Sequence, residues 1–139
     1  MNLPRRLAWL AIASLLLAGC TYYPTVADTG GPRMEPKWGR LVRTPAGAVC
    51  YFELESTSKY ADLLVGAESE AARVVQIESA DGKPVTSVPV AGESRVGFHP
   101  EGLHITLSDL VHPLSPGEGV IVTLVFAKSG RIGVVSVVE

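Results

Sequence analysis

Three histidines are the side chains of this 139-residue chain that best suit a metal ion. His99 and His104 flank Pro100, Glu101 and Gly102, and this proline- and glycine-containing stretch predicts a hairpin turn. The turn would bring the two rings close enough to share one ion, and imidazole suits Zn²⁺ or Cu²⁺ better than Cu(I). We therefore predict His104 and His99 as candidate metal ligands. The alternative interpretation is two solvated histidines beside a turn.

The remaining candidate ligands have weaker patterns. His112 precedes Pro113 in a predicted loop and is interpreted as structural or merely exposed. Cys50 lies on the apolar side of an alternating stretch, which predicts a buried and unreactive thiol. Met34 belongs to a segment rich in proline and glycine, from which it would reach a metal only by swinging in as a capping ligand.

Cys20 has the most specific predicted chemistry. It follows Leu17-Ala18-Gly19, a short apolar run and a start that contains Arg5 and Arg6, the layout of a secretory signal. The apolar run has about half the length of a bilayer-spanning helix. The pattern resembles the lipobox of bacterial lipoproteins, in which the chain is cut just before a lipidated cysteine. It predicts removal of residues 1–19, a lipid on Cys20 and an extracytoplasmic location on the periplasmic or outer face of a membrane. An ordinary signal peptide with a chance cysteine is the alternative.

Charge and cysteine content exclude several classes of function. The chain has 12 basic and 14 acidic residues, and its lysines and arginines form no cluster, which argues against a nucleic-acid partner. With Cys20 lipidated, Cys50 has no partner for an intramolecular disulfide. Sequence motifs of hydrolases, metalloproteases, phosphate-binding loops and thiol oxidoreductases are missing. Ser108, Asp109 and His112 are neighbours in sequence, but a triad needs convergence in space. We predict that the protein is not an enzyme.

The elements that must position these residues are predicted to be β-strands. Residues 20–45 contain several prolines and glycines and are predicted to be a lipid-anchored tether, although Trp38, Leu41 and Val42 would allow part of it to dock. From residue 46 to 139, short runs with a period of two are separated by turns, as in residues 48–54. About seven to eight such strands indicate an all-β sandwich or small barrel. Only residues 68–75 offer a helical alternative.

The order and chemistry of these runs resemble the PCu(A)C family of periplasmic copper chaperones. The resemblance covers residues 46–138 and implies a cupredoxin-like β-sandwich. The stretches that carry it are residues 48–55, 62–67, 71–74, 81–82, 89–90, 102–107, 112–114, 117–118 and 122–126.

The resemblance weakens at the family's copper site. Members of the family bind Cu(I) with two histidines and two methionines, of which one pair forms a His-x-Met on one strand. Here that motif reads His104-Ile105-Thr106, so the histidine is present and a hydroxyl replaces the thioether. The family's earlier histidine falls at Ile77-Glu78 or Gln76, and its earlier methionine falls within residues 85–88, which contain no sulfur. Copper is therefore the candidate cofactor of a site that is mostly missing.

Two functions follow from these observations. The first is an envelope lipoprotein that resembles a periplasmic copper chaperone and has lost most of the family's copper site. The alternative is a structural or protein-interaction lipoprotein on the same fold that binds no metal. The expected partners are the membrane, through the lipid on Cys20, and an envelope protein such as a cytochrome oxidase assembly target.

Overall fold

The computed structural model describes residues 33–139, and these form a domain built of β-strands. The strands are β1 (Met34–Thr44), β2 (Gly47–Ser56), β3 (Asp62–Ser69), β4 (Ala72–Glu78), β5 (Val88–Val90), β6 (Ser94–Phe98), β7 (His104–Leu110), β8 (Gly119–Phe126) and β9 (Gly130–Val138). Residues 68–75, the helical alternative, belong to β3, β4 and the turn between them. No membrane-crossing helix is found in the described residues. The predicted all-β class is confirmed.

The strands form one curled sheet around a single core. Their order is β4-β7-β2-β1-β9-β8-β3-β5, and β6 adds to β2 beyond the end of β7. β3 and β4 follow each other in the chain yet lie far apart in this order, so the sheet must curl to bring them together. Alternate residues of β2, from Ala48 to Ser56, point inward. Among them, Phe52 stacks on Phe98 with ring centroids 4.3 Å apart.

β1 corrects the predicted tether boundary. It pairs antiparallel with β2 from Met34 to Thr44, and Arg40 and Leu41 also pair in parallel with β9. Leu41 is fully buried, so this strand is part of the core. The boundary predicted at residue 46 therefore falls in the turn between two paired strands. Residues 1–19, Cys20 and the remainder of the predicted tether, residues 21–32, lie outside the described part of the chain.

An irregularity in β1 interrupts the alternation of buried and exposed residues from which a strand is predicted. The register with β2 shifts between Lys37 and Arg40, and Trp38 within this bulge has a φ of 61°. A bulge inserts an extra residue and breaks the period of two on which strand prediction depends. The prolines of the segment reinforced its interpretation as a linker.

Candidate metal site at His104

β4 and β7 present four polar side chains on the outer face of the sheet. Glu78 pairs with His104 in the ladder, and Gln76 pairs with Thr106. The isoleucines that alternate with them on both strands are buried. Three of the four predicted positions of the family ligands are thus brought together, because directly opposed residues of an antiparallel pair lie on the same face.

Both ring nitrogens of His104 are directed at oxygen atoms. Nδ1 lies 3.0 Å from the carbonyl oxygen of Gly102, and Nε2 lies 3.2 Å from Oε2 of Glu78. The His104 and Glu78 side chains are largely shielded from solvent. A carbonyl and an ionised carboxylate only accept hydrogen bonds, and the tautomer of the ring decides which nitrogen donates to its partner. A metal ion on Nε2 would have to displace Glu78 or share it.

The His99 ring packs against Gly102, the glycine whose carbonyl oxygen contacts His104. The turn predicted at residues 100–102 is present: the Gly102 N–H donates to the His99 carbonyl, and the His99 N–H donates to the Leu103 carbonyl, both at 2.9 Å. A Cβ on Gly102 would lie 2.8 Å from Cε1 of the exposed His99 ring, so this ring needs glycine there. In residues 33–139 no group of three or more histidine, cysteine or acidic residues has metal-binding geometry. The shared site of His99 and His104 stays a prediction.

The two sulfur atoms of the described chain lie in the core. Met34 is buried on β1, which excludes the swinging role considered for it. Cys50 is fully buried, and its Sγ lies 3.2 Å from Oγ of Ser136. Burial raises the pKa of the Cys50 thiol to about 11, although the contact with Ser136 opposes this rise. The predicted burial of Cys50 is confirmed, and its thiolate is scarce at neutral pH.

The residues that would form a triad have separate partners. Oδ1 of Asp109 accepts a hydrogen bond from Arg73 at 3.2 Å. Nε2 of His112 lies 2.9 Å from Glu118, whose other carboxylate oxygen accepts the Ser115 N–H at 3.0 Å. The hydrogen bond from His112, together with that backbone N–H, lowers the pKa of Glu118. His112 therefore braces the β7–β8 loop, as its structural interpretation required.

Residues 33–138 match the protein family described as "Putative lipoprotein LpqE-like". The chain belongs to this LpqE-like family. A search of curated proteins finds no match. Several solved structures resemble the LpqE-like domain, and among them are PCuAC domains from PmoF1 and PmoF2.

The copper-bound PCuAC domain from PmoF2 is 25% identical, with a TM-score of 0.69 over 78% of this chain and 94% of that one. The apo PCuAC domain from PmoF1 is 21% identical, with a TM-score of 0.68 over 78% and 95%. The solution structure of Cu(I)-DR1885 from Deinococcus radiodurans is 24% identical, with a TM-score of 0.62 over 82% and 83%. The last two show the fold alone. The predicted PCu(A)C resemblance and cupredoxin-like fold are confirmed.

Sequence reasoning missed one side chain of the site at His104. Glu78 was not predicted as a site residue, yet it is the side-chain partner of His104. The family's earlier histidine falls at Ile77-Glu78, which hinted that this stretch lies near His104. The sequence does not contain the register of β4 against β7, and that register decides the pairing.

Proposed function

We propose that this LpqE-like protein is an extracytoplasmic lipoprotein, cut before Cys20 and lipidated there, whose PCuAC-type domain does not carry Cu(I) as its relatives do. The observation that carries the proposal is the location of sulfur. Met34 and Cys50 are both buried in the core, whereas His104 lies on the outer face of the sheet. Around His104 the donor atoms are those of Gln76, Glu78 and a threonine hydroxyl.

The chemistry of copper supports this proposal. Cu(I) is a soft ion that prefers thioether and thiolate sulfur, with imidazole as an additional ligand. Carboxylate, amide and hydroxyl oxygens are hard ligands and suit other ions. One imidazole, whose two nitrogens both lie about 3 Å from oxygen atoms, competes poorly with cellular thiols for Cu(I).

The role of the domain is then to contact other proteins at the cell envelope. It is not an enzyme, and its fold serves as a scaffold that keeps the shape of a copper chaperone. A cytochrome oxidase assembly protein is the partner implied by the resemblance to the PCu(A)C family.

A competition titration tests the copper proposal. The mature chain with Cys20→Ser, which leaves Cys50 as its single cysteine, is titrated with Cu(I) against a chromophoric chelator. We expect it to leave Cu(I) on the chelator, because both remaining sulfur atoms are buried. The copper-binding PCuAC domain from PmoF2 serves as the positive control. Tight one-to-one binding that His104→Ala abolishes would contradict the proposal.

A second candidate function is the carriage of Zn²⁺ or Cu²⁺ on His104. Nε2 of His104 and Oε2 of Glu78 lie 3.2 Å apart. Two ligands that each lie about 2.0–2.2 Å from one ion have a similar separation. A nitrogen and a carboxylate oxygen suit these ions better than they suit Cu(I). His99, which packs on the same turn, is the predicted additional ligand.

Calorimetric titration of the Cys20→Ser chain with Zn²⁺ and with Cu²⁺ tests this candidate. We expect His104→Ala to abolish binding and Glu78→Gln to weaken it by about tenfold or more, because a neutral amide replaces the carboxylate that would ligate the ion. His99→Ala tests the shared site. His112→Ala is the matched control, because that ring lies on the β7–β8 loop with Glu118. Binding that survives His104→Ala but is lost in His112→Ala would rule the candidate out.

A further inference from the structure

Four exposed apolar side chains lie on the outer face of three neighbouring strands, β1, β9 and β8. The exposed fractions are 79% for Trp38, 66% for Val135, 59% for Ile121 and 49% for Val137. Ile121 and Val135 are direct partners in the ladder, and Val137 is the next outward residue of β9. We call these four residues the outer apolar face. Apolar groups grouped in this way often mark a contact surface.

The backbone of β1 has an unusual conformation at Trp38 and Gly39. A Cβ on Gly39 would lie 2.4 Å from the Val135 carbonyl oxygen, so glycine is what allows β1 to approach β9 here. Trp38 is held at a φ of 61°, a left-handed conformation that is costly for a bulky residue. The indole gains little from burial in return. Its place is better explained by something outside the domain that covers it.

The distance to the predicted anchor favours a lipid surface. Thirteen residues lead from Cys20 to Arg33, and even a fully extended chain of that length spans only about 45 Å. A lipid on Cys20 would therefore keep the domain close to the headgroups. This step rests on the lipoprotein function proposed above.

A basic side chain of β1 borders this surface. Arg40 pairs with Val137 in the sheet, so it lies beside the outer apolar face. Its guanidinium contacts Glu139 at 3.4 Å and lies 5.0 Å from the centroid of the Tyr51 ring. The ion pair is about half exposed and therefore weak, so a lipid phosphate can compete for this guanidinium. Basic side chains near an anionic membrane are attracted to it.

We infer that the outer apolar face lies on the membrane that holds the lipid anchor. Trp38 sits at the level of the headgroups, where tryptophan is enriched in membrane proteins. Ile121, Val135 and Val137 rest on the boundary between headgroups and acyl chains. Arg40 meets the phosphates.

The fluorescence of Trp38 tests this inference directly, because the other tryptophan, Trp9, lies in the predicted signal peptide. The mature chain with Cys20→Ser carries no lipid, so only the domain's own surface contributes. It is mixed with vesicles of phosphatidylglycerol and phosphatidylethanolamine. We expect the Trp38 emission to shift to shorter wavelength and the protein to sediment with the vesicles.

Matched variants distinguish membrane binding by the outer apolar face from nonspecific binding of the protein to vesicles. We expect Trp38→Gly and Val135→Ser each to lower vesicle partitioning by about tenfold, the effect of losing one partly buried apolar side chain. Glycine adopts the φ of Trp38 without strain, so the first variant should also keep its thermal stability. Val74→Ser on β4, whose valine is similarly exposed, should leave partitioning unchanged.

Three outcomes would overturn the inference. One is a Trp38 emission that vesicles do not change, and another is equal loss of partitioning in Val74→Ser. The third is an emission shift that appears on concentrating the protein without vesicles, together with a doubled mass, since a second copy would then cover the face. Metabolic labelling with a fatty acid tests the anchor separately. If the wild-type chain is labelled but its Cys20→Ser form does not bind vesicles, the inference about the outer apolar face is wrong and the lipid anchor stands. If the chain is not labelled but still binds vesicles, the lipid anchor is wrong and the inference about the face stands.

Discussion

A chain that begins at residue 46 is expected not to fold, whereas one that begins at Arg33 folds. The truncation removes β1, which lies between β2 and β9 in the sheet. Both neighbours lose a hydrogen-bonded partner, and the core loses the fully buried Leu41 together with Met34. A typical domain is stable by only about 5–15 kcal/mol, and the loss of a central strand exceeds that margin. Circular dichroism and thermal melting of the two chains measure the effect.

Leu41→Ala in the chain from residue 33 provides the graded control. It removes one buried side chain while the strand remains, so we expect a loss of about 2–5 kcal/mol in the free energy of unfolding. A cooperative melt of the truncated chain at the same temperature as the longer one would show that β1 is dispensable.

Asp62→Ala is expected to cost about 2–4 kcal/mol in the free energy of unfolding, because three backbone N–H groups and one hydroxyl lose their acceptor. The Asp62 carboxylate is buried at the start of β3 and accepts the backbone N–H groups of Leu63, Lys128 and Ser129 at 2.8–2.9 Å. It also accepts the Ser129 hydroxyl at 2.6 Å. These bonds tie β3 to the β8–β9 turn. Urea denaturation of the two proteins gives the difference.

Low pH should weaken the hydrogen bonds by which Asp62 ties β3 to the β8–β9 turn. Burial alone would raise the pKa of Asp62, but the hydrogen bonds from Ser129, Leu63 and Lys128 outweigh it and hold this pKa below the usual value. A carboxylate with a lowered folded pKa stabilises the protein above its unfolded pKa of about 3.9, and this stabilisation is lost as pH falls through the folded value.

The free energy of unfolding should therefore fall below about pH 4 in the wild type, and less steeply in Asp62→Ala. Asp109→Asn is the control, because that carboxylate is mostly exposed and its loss should change stability by less than about 0.5 kcal/mol. Equal acid sensitivity of wild type and Asp62→Ala would assign the effect to other groups.

Much of the fold was predictable from local patterns. Alternation from Ala48 to Leu54 predicted a strand with Cys50 facing inward, and residues 100–102 predicted the turn that precedes β7. Both signals depend on neighbours in the chain. β1 could not be found in this way, because the bulge at Trp38 interrupts its period.

The all-β class, the inward position of Cys50 and the replacement of a family methionine by Thr106 follow from residue types and from the period of two, which a sequence displays directly. The fold was needed to show that β1 completes the sheet, that Glu78 meets His104, and that Trp38 is exposed at a bulge beside β9. Each of these depends on strand register and order. Register and order arise from long-range burial, which no local stretch of sequence encodes.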